Sequence, residues 1–112
     1  MNKNVKNLKK ARYENLYKAI LTLETVDECM KFFDDLCSVT EIYAMEQRFQ
    51  VAEMLSEGHN YNSILDQVGA SSATISRVNR SLMYGADGYA IAFERMGIGE
   101  HKSPAPEGDE EK

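Results

Sequence analysis

One stretch constrains the fold more than any other: Asn60 to Met83, two short apolar patterns hinged on a Gly-Ala pair. Ile64 and Val68 lie four residues apart and so share one helical face, and Gly69 follows at once. A helix stop commonly needs a positive φ just past the last turn, which glycine adopts at no steric cost. Ser71 or Ser72 then offers a hydroxyl to the orphan amides of a second helix, whose inner stripe is Ile75, Val78 and Leu82. The spacing predicts a helix-turn-helix, two small helices crossing steeply over one core.

At about 100° per residue, Ser71, Ile75, Val78 and Leu82 cluster on one side of the second helix, with Ala73, Ser76, Arg77 and Arg80 roughly opposite. That outer face carries only small and cationic groups. A major groove admits a helix whose side chains are short, and Ser, Thr, Asn and Arg suit base edges and phosphates. Ala73, Ser76 and Arg80 are therefore expected to face bases or phosphates. Ser71, Ser72 and Thr74 would meet the backbone at the helix start, Arg77 lies on the same outer face, and Asn79 flanks it. The same pattern also suits an ordinary αα-hairpin with a solvated face.

The net charge of −5 looks wrong for a nucleic-acid binder until its distribution is read. The tail after Met96 contributes −3 of it, through Glu100, Glu107, Asp109, Glu110 and Glu111 against Lys102 and Lys112. From Gly58 to Ala86 there is one acid, Asp66, against Arg77 and Arg80. A unit so weakly basic needs two copies to gather enough phosphate contacts. With 112 residues the chain fits one domain, expected over 1–96, followed by an acidic disordered tail over 97–112. No apolar run approaches the roughly 18 residues of a membrane span, and the polar, lysine-rich start lacks a signal core, so no membrane partner and a cytoplasmic location are expected. Cys29 and Cys37 show no CxxC spacing and read as reduced, buried thiols.

Taken in order, Val5 to Leu23 places Leu8, Ala11, Leu16, Ala19, Ile20 and Leu23 on a helical stripe. The cations Lys3, Lys6, Lys9, Lys10 and Arg12 crowd its start, against the macrodipole, and so serve as a solubilising end or a phosphate-reaching arm. Thr25 to Glu28 opens a second helix with Val26, Met30, Phe33 and Leu36 along it, widened by Cys29 and Phe32. So broad an apolar face on a short helix implies contacts that a small monomer could hardly supply. Ser38-Val-Thr-Glu41 matches a capping box, opening a helix to about Glu57 with Ile42, Met45, Phe49, Ala52 and Leu55 in one stripe. His59 is a loop residue. A turn at Tyr84 to Gly88 leads to a last helix through Tyr89, Ile91, Ala92, Phe93 and Met96, ended by Gly97 and Gly99. No hydrolase, zincin, Walker or dinucleotide spacing is present, so no catalytic residue, metal ligand or enzyme activity is expected.

Gln47-Arg48-Phe49, Leu55-Ser-Glu-Gly58 and above all Val68-Gly-Ala-Ser-Ser-Ala-Thr-Ile-Ser-Arg-Val-Asn-Arg-Ser-Leu82 resemble the Trp repressor superfamily, and within it the YerC/YecD branch. The resemblance covers about Leu8 to Met96. It implies an all-α, six-helix fold with the helix-turn-helix fourth and fifth, in which the first three helices and the last interlock with a second chain. It therefore implies an intertwined homodimer whose two reading helices enter successive major grooves, about 34 Å apart, on a pseudo-palindromic site. The family's effector positions fall here on Ser38, Arg48, Arg77 and Ser81, where two guanidinium groups could hold a small carboxylate. Arg48 and Arg77 could equally pair with acids of this chain or with phosphate.

The chain departs from the family at Val78, where the resemblance calls for the glycine that makes room for the indole of tryptophan. The expectation is that the valine takes the corepressor's place, so that L-tryptophan is not a cofactor. Burying such a side chain stabilises by about 1.5–3 kcal/mol, comparable to a weak ligand's bias on the reading heads. The leading expectation is a homodimeric, sequence-specific binder of double-stranded DNA that regulates transcription, most simply as a repressor. The alternative is a helical protein-interaction or adaptor module that keeps the motif without reading DNA, which the acidic balance favours.

Overall fold

The computed structural model describes residues 11–99, and among these every regular element is an α-helix. By packing the chain divides after Val39 into two units, and each is described on its own terms.

The first unit contains α1 (Glu14–Leu21) and α2 (Val26–Leu36). Among the described residues the stripe expected over 5–23 is helical from Glu14, after an extended Tyr13 that supplies no side-chain cap. The earlier part of that stripe, with Leu8 and the lysine cluster, lies outside the described residues. The Arg12 guanidinium sits over the Tyr17 ring, 5.8 Å from its centroid. Thr25 caps α2 as its position predicts, its hydroxyl accepting from the Glu28 amide at 3.0 Å. The Glu28 carboxylate reaches back to accept from the Glu24 amide at 2.8 Å, so the helix start closes reciprocally. No residue of 11–39 is buried. The expected stripe of α2 is largely exposed, Val26 at 76% and Met30 at 59%, with Phe33 half-buried. Cys29 and Cys37 are free thiols and half-buried, short of the full burial expected from their apolar setting.

The second unit holds α3 (Val39–Ser56, all but its first residue), α4 (Tyr61–Val68), α5 (Ser72–Tyr84) and α6 (Gly88–Met96). Helix α3 starts directly after Ser38, where the Ser38/Glu41 pair places it. Its buried face differs from the expected stripe. Val51, Ala52 and Met54 are buried, whereas Ile42, Met45, Phe49 and Leu55 are only half-buried. The reason is that α3 is apolar on several sides, so its own periodicity does not choose a face; the helices packed against its C-terminal half do.

The core joins Val51, Ala52 and Met54 to Ile64 of α4, Ala70 of the turn, Ile75 and Val78 of α5 and Phe93 of α6. Ile64, Ile75, Val51 and Val78 are its largest fully enclosed side chains, each worth about 1.5–3 kcal/mol of burial. Phe49 meets Phe93 edge-on with centroids 5.3 Å apart, and Tyr89 stacks on Phe93 at 5.7 Å. The packed part runs past the boundary expected at 96. The Ile98 amide donates to the Phe93 carbonyl at 2.9 Å and its side chain packs against the core, so the last helix is closed by a residue within the span expected for the tail. The rest of that tail, 100–112, lies outside the described residues.

Candidate nucleic-acid interface

The interface is built on α4, α5 and the three residues between them. Asn60 caps α4, its Oδ1 accepting from the Ser63 amide at 2.8 Å. Gly69 ends that helix at φ 79° while its amide donates to the Leu65 carbonyl at 3.1 Å, so the expected stop falls where the left-handed backbone is needed. Ala70 is 4% exposed and pins the turn into the core. Of the two candidate caps the structure uses Ser71: its Oγ accepts from the Thr74 amide at 3.1 Å and donates to the Thr74 Oγ1 at 3.1 Å. Helix α5 then leaves the turn with Ile75 and Val78 turned inward and Leu82 half-buried.

The opposite side of α5 exposes Ala73, Ser76, Arg77 and Arg80, as the wheel predicts, and Ser72 is exposed at the helix start; Ser71, placed by the wheel on the inner side, is exposed too. The helix carries no acidic residue, and among the described residues neither arginine is tied up in an ion pair. The two guanidinium groups and the helix start therefore point the same electrostatic way. The other three positions expected to touch DNA are placed differently. Ser71 and Thr74 spend their hydroxyls on the helix cap. Asn79 is half-buried, donating from Nδ2 to the Met83 Sδ at 3.8 Å, and lines a groove of about 540 Å³ together with Leu55, Leu82, Phe93, Glu94 and Ile98.

Two further residues, Asn60 and Gly85, shape this head. Asn60, an Asx residue directly before an apolar helix, carries a readable capping signal. Gly85 carries none: a Cβ there would overlap the Ser81 carbonyl oxygen, a close approach set by how the chain leaves α5.

The sequence profile of the Trp repressor protein family matches residues 11–97. The chain belongs to the Trp repressor family. It is 46% identical over 92 residues to YerC, an uncharacterised protein of Bacillus subtilis strain 168, spanning 82% of this chain and 88% of that one. It is also similar to a crystal structure of a candidate Trp repressor from Staphylococcus aureus, with TM-score 0.77, 50% identity, and 81% of this chain and 94% of that one covered. A TrpR-like protein from Eubacterium eligens superposes with TM-score 0.76 at 52% identity, over 82% and 95% of the two chains. The Trp repressor family is one of helix-turn-helix DNA-binding regulators and not of enzymes.

Of the four residues expected to hold an effector, Arg48, Arg77 and Ser81 are exposed in the second unit, and Ser38 is an exposed residue of the first. The groove beside Asn79 includes none of the four. Val78 is 2% exposed and belongs to the core of its own chain, packed with Ile75 and Phe93. Among the described residues no cluster of His, Cys, Asp or Glu could hold a metal, and no helix is long and apolar enough to cross a membrane.

Proposed function

We propose that the protein binds double-stranded DNA sequence-specifically as a homodimer and regulates transcription, acting as a repressor by occupying an operator. The observation that carries this reading is the outer face of α5: Ser72, Ala73, Ser76, Arg77 and Arg80 stand exposed on a capped helix with no acid, and the arginines have no ion pair among the described residues. Short side chains let the helix approach a major groove, and arginine serves either a phosphate or a guanine edge. The homodimer is supported by the first unit, in which Val26, Met30 and Leu36 lie more than half exposed on helices that bury nothing of their own. Selection of duplexes from a random library is the test. The wild type is expected to enrich a pseudo-palindromic sequence with salt-dependent affinity, and Arg80→Ala to weaken that binding. Absence of any enriched sequence would favour the adaptor reading instead.

We further propose that L-tryptophan does not control this DNA binding. Val78 already fills the inner side of α5, so the reading head is held by its own core without a ligand. A small carboxylate held by Arg48, Arg77 and Ser81 would be a separate effector. Titration calorimetry with L-tryptophan should give no binding heat; tight binding lost on Arg48→Ala or Arg77→Ala would refute the proposal.

A further inference from the structure

We infer that the acidic segment Glu107–Glu111 of this chain docks on the outer face of α5, its carboxylates occupying Arg77 and Arg80 until DNA phosphates displace them. The displacement rests on the DNA reading proposed above; the contact itself does not.

The second unit has four described cations, Arg48, Arg77, Arg80 and Arg95. Arg48 shares α3 with Glu41, Glu46 and Glu53, and Arg95 follows Glu94 on α6. Of these three helices only α5 carries cations and no acid. Arg77 and Arg80 are exposed and three residues apart, so they are neighbours on the helix surface, and neither has an ion pair among the described residues. On this face an added negative charge therefore meets attraction with no repulsion from the same helix.

The chain brings its own anion to that place. Ile98 lines the same groove as Asn79, Leu82 and Met83, so residues 100–112 continue from beside the C-terminal half of α5. A helix with its side chains is about 10–12 Å across, which sets the scale of the path from there to the outer face. Glu107 follows Ile98 by nine residues, a span of up to about 30 Å when extended and of about 15–18 Å between the ends of a coil. Glu107, Asp109, Glu110 and Glu111 then place four carboxylates within five residues. Glu94 lines the groove and repels this run, whereas the α5 face matches its charge. Exposed pairs are weak one by one, but the tether makes the encounter intramolecular, at an effective concentration on the order of millimolar. A duplex presents one charge per about 1.7 Å and so displaces the segment, which lowers DNA affinity by the fraction of time the arginines are taken.

The test compares the full chain with a variant carrying Glu107→Gln, Asp109→Asn, Glu110→Gln and Glu111→Gln, which alters no residue of the packed core. Without DNA, at about 0.05 M salt, the Arg77 and Arg80 Nε–H signals in proton–nitrogen NMR spectra should differ between the two proteins. They should coincide at about 0.5 M salt, where the Debye length falls to about 4 Å. At the lower salt the variant should also bind a random-sequence duplex about fivefold more tightly, within the range of two exposed charge pairs. Arginine signals that ignore the tail substitutions overturn the inference even if DNA affinity rises, because the rise then reflects general repulsion between tail and duplex. Shifted arginine signals with unchanged DNA affinity overturn the competition. Shifted signals in a protein that binds no duplex overturn the proposed function and leave the contact standing.

Discussion

Residues 11–39 and residues 40–99 are both built of α-helices, yet they treat their apolar side chains in opposite ways. The second unit closes a core of eight apolar residues drawn from four helices and a turn. The first leaves Val26, Met30 and Leu36 more than half exposed and buries nothing. A short helix in water gains little from propensity, and its stability comes from packing its apolar face. The second unit supplies that packing within one chain. The first does not, which is why the proposed second copy matters to α1 and α2 far more than to the reading head. The contrast also separates two sources of specificity: the orientation of α5 is set by its own core, whereas the spacing between two copies of α5 would be set by residues elsewhere.

The largest effect should come from emptying the closed core. Phe93 is 3% exposed and touches two other rings, so Phe93→Ala is expected to cost about 3–5 kcal/mol in denaturant unfolding. A cost below about 1 kcal/mol would mean that the second unit is not the self-sufficient half. Met30→Asp probes the other half. At 59% exposure in the single chain it should shift stability by less than about 0.5 kcal/mol if nothing covers it. Against an apolar partner surface the buried charge should instead weaken association by at least about 100-fold, or about 2.8 kcal/mol. Sedimentation equilibrium decides between these, and an unchanged dimer in Met30→Asp would remove α2 from the interface.

What could be read from the sequence follows the same division. The helix-turn-helix was legible residue by residue, because Gly69, Ser71, Ile75 and Val78 act through local spacing and the turn is only three residues long. The inward face of α3 was not, since Ile42, Met45, Val51 and Met54 are all apolar and only the docking of the later helices buries the last two. Asn79 sits on the border between the buried and exposed sides of α5, and its turn toward Met83 depends on a groove that α6 completes. The exit from α5 was also hidden, because it depends on the path of the backbone. There Gly85→Ala should cost about 1–3 kcal/mol by driving a methyl into the Ser81 carbonyl. Gly88→Ala is the control, since a Cβ there meets nothing within 4 Å and sits in a helix that favours alanine. A thermal melt should show the first falling and the second rising or unchanged.

The smallest effect gives the sharpest comparison, because the two units carry the same device. Thr25 and Ser71 each cap a helix through a hydroxyl that accepts the amide three residues on, at 3.0 and 3.1 Å. Cap chemistry alone makes Thr25→Ala and Ser71→Ala equivalent, at about 1 kcal/mol each. Their settings do not. Helix α5 is held by Ile75 and Val78, so loss of the Ser71 cap should appear in full as a drop in global unfolding free energy, independent of protein concentration. Helix α2 has no buried residue of its own, so loss of the Thr25 cap should appear first as faster amide exchange across Val26–Leu36 and as a lower melting temperature in dilute solution than in concentrated solution. If both variants lose the same free energy at every concentration, the two units share one stability and the division between them does not extend to energetics. If only Thr25→Ala responds to dilution, the apolar face of α2 is completed by association and the reading head is not.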